Sequence, residues 1–371
     1  MKVMCVLRHM SIIHWMRLRV LFLQSRRSHV SIPDFFSYYL TTIYYLSKDS
    51  VYMMKLRLYD SILESIGNTP IIKLQKVVEE SRNVFVKAEY LNPSGSLKDR
   101  IAIQMIRDAE RRGDLKPGYT IVEASTGNTG IALSFVGKQL GYNVEIYLPE
   151  GMTKERISIM ESYGARVLEL ELEHGEEGSI AGAEVEIDTR IRCLKEETSR
   201  SDVWWARQFS NESNTRAHIK TGKEILTQLD SNVGAFVASI GVGGTLYGVA
   251  KALKEADSEV MIVGAEPASA KHPLSEGYTR VPGAPDEVTG GIIEDMINSG
   301  IIDRIVKVSN DNAINMAERL VREEGLFCGV SSGANVFLAN KIAKELPAGK
   351  NVVTVLPDHG DRYLSDKKYT T

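Results

Sequence analysis

Lys98 is the residue of this chain with the clearest capacity for covalent chemistry. It lies in NPSGSLKDR (Asn92 to Arg100), where small residues precede the expected start of a helix. A lysine amine becomes a nucleophile or a base when burial or nearby positive charge favours its neutral form. The plainer alternative is a solvated lysine that pairs with Asp99, since nearly all lysines are surface charges. An SxxK nucleophile is excluded, because Gly95 stands where that motif needs a hydroxyl.

A second segment, GVGGT, is suited to bind a phosphate. It follows the apolar run VGAFVASI and precedes an amphipathic stretch. Glycines let the backbone approach an anion, and the amides at a helix N-terminus point toward it. A plain strand-to-helix turn is the alternative, while the GxGxxG and GxxxxGK[ST] patterns of nucleotide sites are absent. The candidate phosphate ligands are Gly241, Val242, Gly243, Gly244 and Thr245.

Two further segments place hydroxyl groups before expected helices. In ASTGNTG, the hydroxyls of Ser125, Thr126 and Thr129 could seat a carboxylate, and the Asn128 amide could donate to a ring oxygen. In both this segment and GVSSGA (Gly329 to Ala334), the alternative is a helix cap, in which serine or threonine satisfies free N–H groups.

These loops connect alternating strands and helices, a pattern that predicts an α/β fold with two doubly wound units. Ligands of such folds bind at the carboxyl ends of the strands. The predicted strands are Val84 to Ala88, Thr120 to Glu123, Val144 to Leu148, Arg166 to Leu170, Ala235 to Ser239, Met261 to Glu266 and Asn351 to Leu356. The predicted helices are Leu97 to Arg112, Gly130 to Leu140, Lys154 to Tyr163, Ile180 to Glu197, Thr215 to Leu229, Thr245 to Glu255, Asn310 to Glu324 and Gly333 to Glu345.

The composition is that of an ordinary globular protein. The 371 residues carry a net charge of -3, with 43% hydrophobic and 25% charged residues, which gives no reason to expect a nucleic-acid partner. The three cysteines, Cys5, Cys193 and Cys328, form no CxxC pair, so neither a metal site nor a disulfide framework is expected. A cytoplasmic location fits this cysteine usage best.

The first 53 residues differ from the rest in charge. Their seven basic and two acidic residues give +5, which leaves -8 for the remainder. Arginines interrupt the apolar run around Val20 to Leu23, so no membrane span is expected, and no secretory cleavage site follows it. A targeting segment, a structural arm and upstream sequence read from a wrongly assigned start codon remain open, with a natural start expected near Met53 and Met54.

Taken together, these motifs resemble the cysteine synthase and cystathionine β-synthase family, the fold-type II pyridoxal-phosphate enzymes, and cysteine synthase most closely. IGNTP, NPSGSLKDR, STGNTG, GVGGT, GVSSGA and LPDHGDRYLS occur in the family's order and approximate spacing. The resemblance covers about Tyr59 to Tyr363. It implies two α/β domains with the cofactor between them: a large one from residues 54–91 and 206–371, and a smaller mobile one from residues 92–205.

The resemblance also implies a role for each candidate residue. Lys98 matches the lysine that holds pyridoxal 5'-phosphate as an internal aldimine, and the GVGGT residues match the phosphate loop. Asn128 would contact the ring hydroxyl oxygen and Ser331 the ring nitrogen. Ser125, Thr126, Thr129 and Gln208 would hold the substrate carboxylate.

The implied reaction is a β-replacement in which an aminoacrylate forms and sulfide attacks it. The expected substrates are O-acetylserine or O-phosphoserine with sulfide, the expected product is L-cysteine, and the expected assembly is a homodimer. VTGGIIEDM stands where acetylserine enzymes carry GIGxGF, which puts acetylserine in doubt. Arg280 could pair with a phosphate and favour phosphoserine, although an exposed loop arginine is an equal alternative.

Three other functions remain open. Cystathionine β-synthase would use serine and homocysteine in a catalytic domain of this kind. A serine or threonine dehydratase fits STGNTG and GVSSGA less well. A non-catalytic scaffold would be expected to lose Lys98 or the phosphate loop, and both are retained.

Overall fold

Two β-sheets form the framework of the chain in a computed structural model, which describes residues 58–125, 127–150, 154–170, 182–268 and 291–364. The strands are β1 (Ile71–Lys73), β2 (Asn83–Lys87), β3 (Thr120–Ala124), β4 (Asn143–Pro149), β5 (Arg166–Leu170), β6 (Val203–Trp205), β7 (Ala235–Ser239), β8 (Met261–Pro267), β9 (Arg304–Val308) and β10 (Asn351–Val355). The larger sheet has the strand order β1-β2-β10-β7-β8-β9, and the smaller has the order β5-β4-β3-β6.

Nearly all strand pairs are parallel, as expected where helices cross over the faces of a sheet. The exception in the described chain is β1, which pairs with β2 antiparallel at one edge. The last strand, β10, lies between β2 and β7 and pairs with both in parallel. The carboxyl ends of β7 and β10 are therefore neighbours, which brings the loops that follow them together.

Helices cover both faces of each sheet. They are α1 (Lys98–Arg112), α2 (Asn128–Gln139), α3 (Lys154–Ser162), α4 (Gly182–Ser199), α5 (Glu212–Gln228), α6 (Gly244–Ala256), α7 (Ile292–Asn298), α8 (Asn310–Arg319) and α9 (Val330–Glu345). Buried apolar clusters on the two faces of the larger sheet contain Val336 from α9 and Val249 from α6. The core against the smaller sheet contains Met105 from α1 and Leu133 from α2.

The α/β prediction is confirmed, and all the predicted strands are present within one or two residues of their expected ends. Three strands were missed: β1 and β6 have only three residues each, and β9 lies at the sheet edge. The helix α7 was also missed. The helices α2 and α9 begin two and three residues before their predicted starts, because Asn128 and Val330 already lie in the first turn.

Residues Asp60–Thr371 belong to one compact unit. The smaller sheet falls within residues 92–205, but the division into a large and a smaller mobile domain stays a prediction. None of the described helices combines the length and the apolar character that crossing a membrane requires.

A buried network of two cations and two carboxylates holds the start of α1. Lys87, fully buried on β2, donates to the Thr69 carbonyl at 2.6 Å and lies 2.7 Å from a Glu224 carboxylate oxygen. Arg100 binds Glu89 through Nε at 2.6 Å and Glu224 through Nη1 at 2.7 Å. The pKa of Glu224 falls to about 2 despite burial, because hydrogen bonds and charge from Arg100 and Lys87 outweigh the loss of solvent.

The IGNTP segment closes over this network. The backbone N–H of Asn68 donates to Glu224 Oε1 at 3.0 Å, and the backbone N–H of Gly67 donates to Asn92 Oδ1 at 2.8 Å. Gly67 has φ +85, and a Cβ there would lie 2.8 Å from Arg100 Nη1. The motif therefore serves to seat the arginine that lies two residues after Lys98.

We expect Glu224→Gln to destabilise the protein by about 3–5 kcal/mol, because it leaves Lys87 and Arg100 buried with too little negative charge. Urea unfolding followed by circular dichroism measures this change. Glu79→Gln is the matched control, because its exposed pair with Lys344 should contribute little. An equal response of the two variants would show that the buried network does not stabilise the fold.

Candidate active site

Two adjoining cavities lie at the carboxyl ends of both sheets. One has a volume of about 170 Å³ and the other of about 340 Å³. Four residues line both cavities, so they form one continuous cleft: Lys98, Asn128, Gly241 and Val242. The smaller cavity also contains Gly243, Gly244, Thr245, Ser331, Asp358 and Tyr363. The larger one contains Ser125, Thr129, Thr189, Arg190, Gln208 and Phe209.

Lys98 is the first residue of α1 and is partly buried in this cleft. Its position is fixed by the preceding residue, because the Leu97 amide donates to the Pro357 carbonyl at 2.9 Å. Burial lowers the pKa of the Lys98 amine to about 8, and the nearby Asp358 carboxylate partly opposes that shift. A substantial fraction of the amine is then neutral near physiological pH, as nucleophilic attack requires.

The alternative in which Lys98 pairs with Asp99 is wrong. Asp99 is fully buried and accepts hydrogen bonds from the Ser94 amide at 2.7 Å and from the Ser94 hydroxyl. Its carboxylate thus braces the turn before α1. Lys98 is left to face the cleft.

The GVGGT loop leads from β7 into α6. Gly243 has φ +85, a conformation that glycine adopts without strain, and Gly244 begins the helix. A Cβ on Gly244 would collide with the side-chain oxygen of Asn214, so the loop can lie against α5 only with glycine there. Gly244 and Thr245, at the start of α6, line the same cavity as Lys98.

Behind this loop lies His218, which the sequence analysis missed. Its Nε2 lies 3.2 Å from Thr245 Oγ1 and its Nδ1 lies 3.3 Å from Thr221 Oγ1. The ring is fully buried, and burial together with the charges of Lys98 and Arg100 holds its pKa well below the usual value. The imidazole is thus neutral, and it positions the Thr245 hydroxyl without adding charge to the GVGGT loop.

The STGNTG residues occupy the larger cavity and the start of α2. Ser125 Oγ accepts from the Gly130 amide at 3.0 Å, so the helix-capping interpretation holds for this side chain. Thr129 Oγ1 donates to Gln208 Oε1 at 2.6 Å, and Gln208 Nε2 donates to the Ala124 carbonyl at 3.0 Å. The structure thus brings Ser125, Thr129 and Gln208 together, while Thr126 lies outside the described residues.

Asn128 lies at the junction of the two cavities. Its Nδ2 donates to Asp358 Oδ2 at 2.7 Å, and its Oδ1 accepts from Arg362. Ser331 also lines the smaller cavity, while its neighbour Ser332 is fully buried.

Three other residues of the larger cavity were not anticipated: Thr189 and Arg190 from α4, and Phe209. Arg190 is 7% exposed, and its guanidinium carbon lies 3.3 Å from the centre of the Phe209 ring. No motif marks it among the arginines of α4, so the sequence offered no signal. Arg280, the predicted phosphate-binding arginine, lies outside the described residues.

Glu123 provides a negative charge close to this wall of the cavity. It is fully buried and accepts from the Trp205 indole at 3.0 Å and the Gln208 amide at 2.9 Å. Burial raises the pKa of Glu123, while these hydrogen bonds and the charge of Arg190 oppose the shift. The carboxylate fixes the backbone of Gln208 and balances Arg190.

The arrangement fits a phosphorylated aldehyde. An amine with a lowered pKa shares a small cavity with a glycine-rich helix start, and hydroxyls and an amide converge on the adjoining cavity. Asn214 packs so closely behind the loop that no side chain fits at Gly244, and backbone amides at a helix start of this kind can bind an anion.

Comparisons with known proteins agree with this geometry. The family model described as "Pyridoxal-phosphate dependent enzyme" matches residues 62–358. A cysteine synthase of Staphylococcus aureus is 43% identical over 314 residues, which cover 84% of this chain and 97% of the relative.

Solved structures of cysteine synthases and related enzymes are also similar to this chain. A cysteine synthase of Entamoeba histolytica has a TM-score of 0.74 and 34% identity, covering 85% of this chain and 92% of its own. An O-acetylserine dependent cystathionine β-synthase of Helicobacter pylori has a TM-score of 0.74 and 30% identity, covering 85% and 100%. The chain therefore belongs to the pyridoxal-phosphate dependent enzymes and groups within that family with the cysteine synthases.

Proposed function

We propose that this chain makes L-cysteine by replacing the β-substituent of O-acetylserine or O-phosphoserine with sulfide. The observation that carries the proposal is the Lys98 amine, with its pKa lowered to about 8, in the same cavity as the Gly241–Thr245 loop. The similarity to cysteine synthases supports the choice of reaction.

The chain's own residues account for cofactor binding. Lys98 Nζ would hold the cofactor at its aldehyde, and the amides at the start of α6 would bind its phosphate. Asn128 would donate to the ring hydroxyl oxygen, and Ser331 would hydrogen-bond to the ring nitrogen. When bound, pyridoxal phosphate supplies an electron-withdrawing ring that eases loss of the Cα proton and of the β-substituent.

The larger cavity holds the amino-acid substrate. Ser125, Thr126, Thr129 and Gln208 bind its carboxylate, which leaves the Cα proton toward Lys98. The Lys98 amine would accept that proton at Nζ as general base. Ser331 at the ring nitrogen, in place of a carboxylate, would favour departure of the β-substituent.

Water exclusion and assembly complete the proposal. Residues 92–205 form a smaller domain that closes over the substrate, and residues 54–91 and 206–371 form the large domain. Closure would protect the reactive intermediate from water. The protein acts as a homodimer in the cytoplasm.

Cystathionine synthesis is the second candidate. The similarity to an O-acetylserine dependent cystathionine β-synthase favours keeping homocysteine as an alternative acceptor. A product assay that offers acetylserine, phosphoserine and serine, each with sulfide and with homocysteine, separates the two functions. Formation of cysteine from sulfide at the highest rate supports the proposal, and a preference for homocysteine overturns it.

We expect purified protein with added pyridoxal phosphate to be yellow and Lys98→Ala to lose that colour and all activity, because no amine remains to hold the aldehyde. Visible absorbance after dialysis measures the bound cofactor. Lys251→Ala is the control, because Lys251 lies over the Tyr247 ring, outside the cleft. A colourless wild-type protein that ignores the cofactor would contradict an enzymatic function.

The rate at which cofactor-free protein captures pyridoxal phosphate is expected to rise with pH around a midpoint near 8. Below that pH the Lys98 amine, with its pKa of about 8, is protonated and cannot attack the aldehyde. Stopped-flow absorbance gives the profile. A midpoint near 10.5, the value of an ordinary lysine, would show that the amine is not desolvated.

We expect Arg280 and Arg190 each to favour O-phosphoserine over O-acetylserine, by pairing with the substrate phosphate. Arg280→Ala and Arg190→Gln should each reduce the rate with phosphoserine about tenfold or more relative to acetylserine, because a charge-assisted hydrogen bond is lost. Arg192→Gln is the control, since that arginine lies on α4 but pairs with Glu196 and is 49% exposed. Unchanged relative rates in both variants would remove the basis for a phosphoserine preference.

A further inference from the structure

The LPDHGDRYLS segment has no role in the reaction proposed above, but it has a structural role beside the cleft. It follows β10, and three of its polar side chains gather beside the cleft: Asp358, Arg362 and Tyr363. Asp358 is 1% exposed and Arg362 is 3% exposed. Charged side chains are seldom buried this deeply unless their partners require it.

The two charged groups bind opposite ends of the Asn128 amide. Asp358 Oδ2 accepts from Nδ2 at 2.7 Å, and Arg362 Nη1 donates to Oδ1. A carboxylate can only accept and a guanidinium can only donate. Rotation of the amide by half a turn would therefore set its oxygen against a carboxylate and its NH₂ against a guanidinium. The orientation of Asn128 is fixed by charge rather than by shape.

This orientation leaves a defined donor for the cleft. The Asn128 NH₂ group has two N–H bonds, and Asp358 takes one of them. Asn128 lines both cavities, so the second N–H can serve a ligand that lies between Lys98 and the Gly241–Thr245 loop.

Other motif residues hold the two charged groups in place. Tyr363 Oη donates to Asp358 Oδ2 at 2.6 Å, and Arg362 Nη2 donates to the Ser94 carbonyl. A Cβ on Gly95 would lie 3.0 Å from Arg362 Nη2, and a Cβ on Gly329 would collide with Asp358 Oδ1. Glycines of NPSGSLKDR and GVSSGA thus give Arg362 and Asp358 the room to reach Asn128.

We propose that Asp358 and Arg362 are positioning residues that orient the Asn128 amide so that its second N–H donates to the ring oxygen of the cofactor. The proposal rests on the proposed function, in which that oxygen lies against Asn128. It assigns the last sequence motif to cofactor orientation rather than to the chemical step.

The test compares pyridoxal phosphate with 3-deoxypyridoxal phosphate, which keeps the aldehyde and phosphate but lacks the ring hydroxyl. Dissociation constants are measured by absorbance titration of cofactor-free wild type, Asn128→Ala, Asp358→Ala and the double variant. Asp358→Ala should weaken binding of pyridoxal phosphate about tenfold. It should leave the affinity for the 3-deoxy analogue within about twofold, because that ligand makes no bond to Asn128. In the Asn128→Ala background it should add no further loss.

The 3-deoxy analogue also separates this role from another effect of the carboxylate. Asp358 influences the charge of Lys98, but both ligands carry the aldehyde, so that influence affects them equally. If Asp358→Ala does not fold by thermal melting, Arg362→Met tests the other end of the amide with the same expectation.

The outcomes distinguish the two proposals. Wild type that binds neither ligand overturns the proposed function itself. Wild type that prefers pyridoxal phosphate, with Asn128→Ala losing that preference and both Asp358→Ala and Arg362→Met keeping it, overturns the positioning role alone. Equal loss of both ligands on Asp358→Ala also overturns it, since the carboxylate would then support the cleft without acting on the ring oxygen.

Discussion

The desolvation of one amine is the constraint on which the rest of this structure depends. Lys98 must lie where water is scarce enough to favour its neutral form, yet the helix that carries it must be held rigidly at its first turn. The network of Lys87, Glu89, Arg100 and Glu224 meets the second need, because two cations and two carboxylates bind one another around that turn. Keeping those charges balanced makes their burial tolerable, whereas the Lys98 amine has no carboxylate at bonding distance among the described residues.

Close approach between backbone and buried polar side chains recurs around the cleft. Gly67 lies against Arg100, Gly244 against Asn214, and Gly329 against Asp358. In each case the glycine belongs to a motif, and the side chain it admits comes from a distant part of the chain. These glycines therefore let charged or amide side chains approach the backbone more closely than any other residue would allow.

The alternation of apolar runs and amphipathic stretches was sufficient to predict the α/β fold, because long elements carry their own periodicity. Three-residue strands such as β1 and β6 are too short to show a periodicity. They could be recognised only from the strands with which they pair, and the sequence does not show that pairing. The same contrast between local and long-range information applies to the residues of the site. Lys98, Asn128 and the GVGGT loop could be found because their motifs are local, and they do line one cleft. Arg190 and His218 could not, because only the packing of α4 and α5 brings them there.

The position of β10 affects how the chain can fold while it is being synthesised. Among the described strands this one comes last in sequence, but it lies between β2 and β7 in the interior of the larger sheet and leads into the loop that carries Asp358. A chain emerging from the ribosome without it would present two unpaired parallel edges, the kind of surface that invites wrong pairing with other chains. Until β10 has paired with β2 and β7, those edges need protection from such pairing, and the cleft beside them cannot be complete.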